Sequence, residues 1–251
     1  MNLQDLSLIL PAFIAGLIVV VSHVPLGREV VKRGIIFIDL AIAQIAGVGV
    51  IAASLFHIES PIGTQLFAGG AALAGALLLT FTEKKLGRYQ EPLIGVLFVL
   101  AASLGLLMLA NDPHGGESLK ELLSGQILWV TQQHIILSAS VLLPITALWL
   151  MFSKSFARLV FYPLFAIAIT ASVQLVGVYL VFATLVIPAL AITRMQSYAL
   201  LKGMLLGAAG FGIGLLLSLQ WDLPASPLIV WCLACLGLLF TLLIGKPKPK
   251  A

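Results

Sequence analysis

Charge is what this chain has least of. Only 10% of its 251 residues are Asp, Glu, Lys or Arg, against about 25% in a soluble domain. Signatures of chemistry are missing as well. No GxxxxGK[ST] loop is present to cradle nucleotide phosphates, so ATP-driven work would need a separate subunit. Neither HExxH nor GxSxG occurs, which removes the usual marks of a membrane protease or hydrolase. The two cysteines, Cys232 and Cys235, share the last apolar run with no basic neighbour or other ligand beside them, and read as packing residues. The four histidines, His23, His57, His114 and His134, read as residues of span ends and loops, none paired with a carboxylate at ligand spacing.

What the chain has is apolar length. Hydrophobic residues make up 61% of it, and its mean hydropathy is +1.13. Apolar runs at about 6–22, 35–56, 62–81, 93–110, 134–152, 160–192, 199–219 and 227–244 reach the roughly 20 residues that cross a bilayer. The fold class expected is therefore an all-α polytopic membrane protein, residues 1–251 forming one transmembrane domain. The net charge of +4 implies no nucleic-acid partner, because the basic residues sit where they orient the chain in a membrane.

Loop charge alternates along the chain. Arg28, Lys32 and Arg33, then Lys84, Lys85 and Arg88, then Lys154 and Arg158 mark one side. His57 and Glu59, then Asp112, His114, Glu117, Lys120 and Glu121 mark the other. The positive-inside rule puts the first group in the cytoplasm. The first apolar run has no basic residue before it, unlike a cleaved signal peptide, which predicts an uncleaved first span with its N-terminus outside. The outer loop 111–133 reads as a turn and a short helix, either a docking element or an ordinary solvated loop.

Residues 172–191, SVQLVGVYLVFATLVIPALA, break the regular pattern. A Gln and a Gly open the segment and a Pro followed by small residues closes it. Such breaks at membrane depth are tolerated only where protein or a water-filled cavity satisfies the freed backbone groups. Basic residues lie on both sides of 160–192, so it must cross an even number of times. It is too long for one ordinary span and short for two. Two short crossings turning near Gln174 and Gly177, or a re-entrant hairpin, give nine spans, with a cytoplasmic C-terminus. One tilted, broken helix gives eight.

Small residues supply helix contacts: Ala43 and Gly47, Gly49 and Ala53, and the cluster Gly69, Gly70, Ala71, Ala72, Ala74, Gly75 and Ala76. Asp39 is the sharpest single candidate. An ionisable group inside a span lines a path or pairs with another charge; the alternative is an interfacial partner for Arg33 or Lys32. Gln44 lies about 140° away on an ideal helix, five residues at about 100° each, so the two do not share a face. Gln174, Tyr179 and Thr184 either line a path or bond a neighbouring helix.

Three patches resemble a known family. Residues 28–50, REVVKRGIIFIDLAIAQIAGVGV, are similar to the basic start and Gly-Asp-Ala-Leu-Ser-His-type second helix of the ABC-3 family, the permease subunits of bacterial ABC importers for zinc, manganese and iron. Residues 117–131, ESLKELLSGQILWVT, resemble its outer-loop leucine-rich segment, and residues 173–194, VQLVGVYLVFATLVIPALAITR, its Val-Gly…Pro-Ala signature. The resemblance implies a homodimeric permease bundle in the bacterial inner membrane, in contact with membrane lipids. It further implies a separate ATPase subunit that uses ATP, a periplasmic or lipid-anchored substrate-binding protein, and no cofactor or catalysis on this chain.

The cargo it implies is a divalent metal ion, zinc or manganese, on a path near Asp39, Gln44, Gln174, Tyr179 and Pro188, with Asp39 as the metal-handling carboxylate. Ser155, Arg158 and Arg194 would lie in loops that meet the ATPase. The chain departs from the family in two places. Ala43 stands where the motif's His would follow Asp39, a one-residue shift offering only Gln44, and 153–174 is short. Neither Ala nor Gln replaces an imidazole. A metal chelate or another small solute, or a proton-coupled carrier using Asp39, remain alternatives.

Overall fold

The structure, a computed structural model, describes residues 3–58, 60–110, 116, 123–152, 157–195 and 197–244; for residues 3–8, 84, 88, 152, 157–159 and 244 it describes the backbone alone. Nine α-helices run through the described residues: α1 Leu3–Arg33, α2 Ile38–Leu55, α3 Pro61–Leu86, α4 Gln90–Met108, α5 Gln132–Phe152, α6 Ala157–Val176, α7 Val178–Ile192, α8 Ala199–Trp221 and α9 Ala225–Ile244. Short 3-10 turns cover Gly87–Tyr89 and Ile127–Trp129, and among the described residues no strand forms.

Seven of these helices are long and apolar enough to span a membrane. The two that fall short, α6 and α7, are the halves of the segment expected to break, and the chain turns between them at Gly177. Gly177 has φ 84 and ψ 161, backbone values open essentially to glycine alone. The interruption is therefore written into a single residue.

The first helix differs from the sequence reading. The apolar run suggests an end near residue 22 and a basic loop beyond, yet α1 continues for 31 residues through Pro11 and Pro25. At about 1.5 Å per residue it is about 46 Å long, so Arg28, Lys32 and Arg33 ride its last turns. His23, expected at a span end, lies inside this helix and is fully buried. Its Nδ1 lies 2.8 Å from Ser22 Oγ and 3.0 Å from the Val19 carbonyl. Proline within a membrane helix is tolerated when neighbours satisfy the freed groups, so Pro25 was no stop signal.

What ends α1 is Gly34, at φ 70, followed by an Ile35 N–H to Val30 carbonyl bond of 3.3 Å. This six-to-one closure uses glycine's access to the left-handed region. The helices then pack as a bundle: α1 against α5, α7 and α8, α2 against α3 and α4, α6 against α3 and α5, and α9 against α7 and α8.

The small residues divide between contact and exposure. A Cβ on Gly49 would fall 2.5 Å from the Phe67 carbonyl oxygen, so α2 and α3 touch backbone to backbone there. Ala72 and Ala76 are fully buried. Gly69 and Gly70 instead face open space, with nothing within 4 Å of where a Cβ would stand. The small-residue cluster of α3 is thus used on one side only.

Candidate functional site

A groove of about 780 Å³ opens between α2, α4, α7 and α9. Leu40 and Gln44, four apart on α2, form one wall; Tyr179 and Phe182 of α7 face them, with Phe98 of α4 and Trp231 of α9 at the sides. These spacings put each pair on a single helix face. Gln44 is 7% exposed and Tyr179 is 54% exposed, and they bring an amide and a phenol hydroxyl to an otherwise apolar surface. Phe182 also stacks on Phe37, ring centroids 6.2 Å apart and planes within 1°, which fixes α7 against the start of α2.

The break at Gly177 lies two residues from Tyr179, so it sets where the groove wall begins. Gln174, on the last turn of α6, is exposed and accepts a hydrogen bond from the Gln65 side-chain amide of α3. Pro188 is buried inside α7, away from the groove lining. Thr184 is fully buried, and its hydroxyl donates to the Leu180 carbonyl at 2.7 Å within its own helix.

Asp39 does not line the groove. It sits on the first turn of α2, nearer the helix start than a span beginning at Arg33 would have put it, because Gly34 delays that start. Packing nevertheless leaves it 1% exposed. Its carboxylate has no side-chain partner, only the backbone N–H groups of Asp39 and Leu40 lying beside it, and Arg33 pairs with Glu29 and Glu83 instead, with Lys32 4.0 Å from Glu29. The positive end of the α2 dipole favours an anion at this position. Ala43, one turn on, is 1% exposed and presents only a methyl group to the same face. Among the described residues no group of three His, Cys, Asp or Glu could hold a metal ion. Asp39 is thus a buried, unpaired carboxylate able to take a proton or a cation, with groups from elsewhere needed to complete a metal's ligand shell.

A polar cluster near the same end went unread in the sequence. Arg33 Nε meets Glu29 Oε1 at 2.8 Å, and its Nη1 meets Glu83 Oε1 at 3.1 Å. The guanidinium lies 4.4 Å from the Phe161 ring centroid and 5.9 Å from that of Tyr162. Gln90 donates to the Leu79 carbonyl at 2.9 Å, and Glu91 accepts from Phe37 N–H at 3.2 Å, holding the start of α2 to α4. One cation thus joins α1, α3 and α6. The signal available was Glu29, four residues before Arg33, a spacing that pairs charges on one helix face.

Of the loop residues, Arg194 is exposed in the turn after α7. The side chain of Arg158 lies outside the described residues, as does Ser155 entirely, along with most of the outer loop 111–122. Cys232 and Cys235 are free thiols on α9.

The chain matches the family model of the ABC 3 transport family over residues 5–165 and 151–244. It is 25% identical over 258 residues to an uncharacterized membrane protein from the ycf23-apcF intergenic region of Cyanophora paradoxa, covering 94% of this chain and 85% of that one. It is 23% identical over 246 residues to a protein of Chlamydia trachomatis named "Probable metal transport system membrane protein", covering 88% of this chain and 84% of that one. Among solved structures it superimposes on PsaBC from Streptococcus pneumoniae in complex with Fab at a TM-score of 0.78 and 19% identity, covering 95% of this chain and 92% of the other. A chain given as a metal-chelate type ABC transporter, in an inward-facing conformation, matches at a TM-score of 0.71 and 17% identity, with coverage of 95% and 86%. These structural likenesses establish a shared helical fold.

Proposed function

The chain belongs to the ABC 3 transport family, and from that premise we propose that it is the membrane-spanning permease subunit of an importer that carries a divalent metal ion, zinc or manganese, across the bacterial inner membrane. Two copies pair around the path, two copies of a separate ATPase use the ATP, and a binding protein outside delivers the cargo. The N-terminus is outside and the C-terminus cytoplasmic. The chain makes and breaks no bond in its cargo and holds no resident cofactor.

The observation that carries this reading is the groove beside the helix break, a polar-tipped channel wall formed by Gln44 and Tyr179. In this scheme Asp39 receives the ion behind that wall when α2 moves, since a buried, unpartnered carboxylate stabilises a cation that sheds part of its water. Gln174 and Pro188 shape the two ends of the broken segment rather than contact the cargo. The turn at Arg194, with Ser155 and Arg158, forms the surface through which the ATPase acts.

A second reading has its own support. The groove is large and mostly aromatic and aliphatic, and Ala43 removes the imidazole of the resemblance. Such walls suit a metal chelate with an apolar exterior better than a hydrated ion. Deleting the gene and measuring cellular zinc, manganese and iron by mass spectrometry in metal-limited medium separates these readings. A fall in one metal supplied as the free ion, restored by the wild-type gene and not by Asp39→Ala, supports ion import. A fall seen only with chelated metal supports the second reading. Failure to co-purify with any ATPase would sink both.

A further inference from the structure

A cleft of about 310 Å³, separate from the groove, lies between the last turns of α1, the end of α5 and the start of α8. Pro25, Arg28, Glu29 and Lys32 line it from α1, Trp149 and Leu150 from α5, and Leu200 from α8. We infer that this cleft binds the head group of an anionic phospholipid of the cytoplasmic leaflet, with Arg28 and Lys32 holding the phosphate. The inference rests on the proposed orientation, which puts this end of α1 in the cytoplasm, and stands whatever the cargo is.

The charge balance of the cleft favours an anion. Its one carboxylate, Glu29, is taken by Arg33 Nε at 2.8 Å. Lys32 Nζ stands 4.0 Å from Glu29 and its side chain is 79% exposed, too loosely held to count as a paired charge. Arg28 is exposed and forms no ion pair among the described residues. Arg28 and Lys32 are four residues apart, so both reach the same side of α1. Among the described residues, two cations therefore border a cavity whose one negative group is already neutralised.

The apolar half of the cleft selects a lipid over a free anion. Pro25 lies seven residues from Lys32, about 10 Å along the helix axis, so the cleft reaches through a head-group layer about 5–8 Å deep into the apolar region. Trp149 is almost wholly buried and walls the cavity, stacking edge-on to Phe161 at 5.3 Å. Leu150, which lines the cleft, is 51% exposed and offers a surface for acyl chains. Basic pockets between membrane helices on the cytoplasmic side are suited to anionic head groups.

The test uses the full-length chain, purified in detergent, with phosphatidylglycerol or phosphatidylcholine of matched acyl chains added and retained lipid read by native mass spectrometry. Phosphatidylglycerol should be retained and phosphatidylcholine lost. The double variant Arg28→Ala/Lys32→Ala should retain it roughly thirtyfold more weakly, while Arg28→Lys/Lys32→Arg, which keeps both charges, should retain it. If the alanine variant keeps the lipid as well as the wild type does, the assignment is wrong. Displacement of the lipid by millimolar glycerol phosphate would mean a free-phosphate site. Unchanged lipid retention with loss of a co-purifying ATPase would make the cleft a protein-docking surface. Either result overturns the proposal, and neither depends on which cargo is carried.

Discussion

Gly125 and Gly177 meet backbone against backbone. A Cβ on Gly125 would lie 2.3 Å from the carbonyl carbon of Val176, and one on Gly177 would lie 2.4 Å from Gly125 N. Both glycines have positive φ, 64 and 84. The segment before the Ile127–Trp129 turn is thereby seated in the break between α6 and α7, and the two patches of family-like sequence that contain these glycines are one structural unit. Gly177→Ala and Gly125→Ala should each cost about 1–3 kcal/mol from overpacking and backbone strain. Gly69→Ala, in open space within α3, should be neutral or gain up to about 1 kcal/mol. Thermal unfolding of the detergent-purified chain, followed by size-exclusion chromatography, orders the three variants; a Gly177→Ala protein as stable as Gly69→Ala would remove the clasp.

Arg33 should be the most sensitive charged residue for folding. Its side chain is 13% exposed, and its partners Glu29 and Glu83 are 18% and 21% exposed. Arg33→Ala strands two carboxylates and removes the cation over Phe161. A fully buried pair broken this way costs about 3–5 kcal/mol; the remaining solvent access places this one at about 2–3 kcal/mol. The double variant Arg33→Met/Glu83→Leu should lose less than Arg33→Ala, because no charge remains to be desolvated at position 83. Chemical denaturation of the cycle formed by wild type, Arg33→Met, Glu83→Leu and the double variant reads the coupling, and strictly additive losses would show that the pair contributes nothing.

The bundle was legible because hydropathy is a sum over many residues, and because the break at Gly177 lies between a Gln and a Pro that a lipid-facing helix would not carry. Helix ends were less legible. Pro25 and the polar pair Ser22 and His23 look like a terminus, but satisfied backbone groups carried α1 eleven residues beyond apolar position 22. Asp39 was legible as an ionisable residue in a span, though its burial comes from neighbours in space rather than from depth along α2. The Glu29–Arg33–Glu83 cluster was hidden because one partner lies 50 residues away, and no local spacing encodes that contact. Gln44 and Tyr179 were both noticed, but only the packing of α2 against α7 brings them to one groove.

Asp39 separates stability from function. Asp39→Asn replaces a buried carboxyl group that has no ion-pair partner by an uncharged amide of the same shape. The protein should therefore fold and melt at or near the wild-type temperature, since the substitution adds no volume and leaves no charge to be desolvated. Under the proposed role, uptake should fall to the level of the deletion strain. Melting curves and metal accumulation on the same preparations decide the matter; full uptake by Asp39→Asn would exclude the carboxylate from cargo handling.

The groove itself can be tested by filling it. Ala102 of α4 is half-buried and lines the cavity of about 780 Å³ opposite α7. Phenylalanine there extends into existing space instead of into packed core, so the overpacking cost of about 1–3 kcal/mol that a tight site would impose should be largely avoided. Ala102→Phe should leave melting temperature and ATPase association unchanged while lowering uptake severalfold, and more for a bulky chelate than for a free ion. The size dependence is the informative part. Equal inhibition of both cargoes would mean that the substitution hinders movement of α4 against α2 and α7. Unchanged uptake of both would place the path elsewhere in the bundle, and Gln44 and Tyr179 would then be polar tips on a surface that faces lipid.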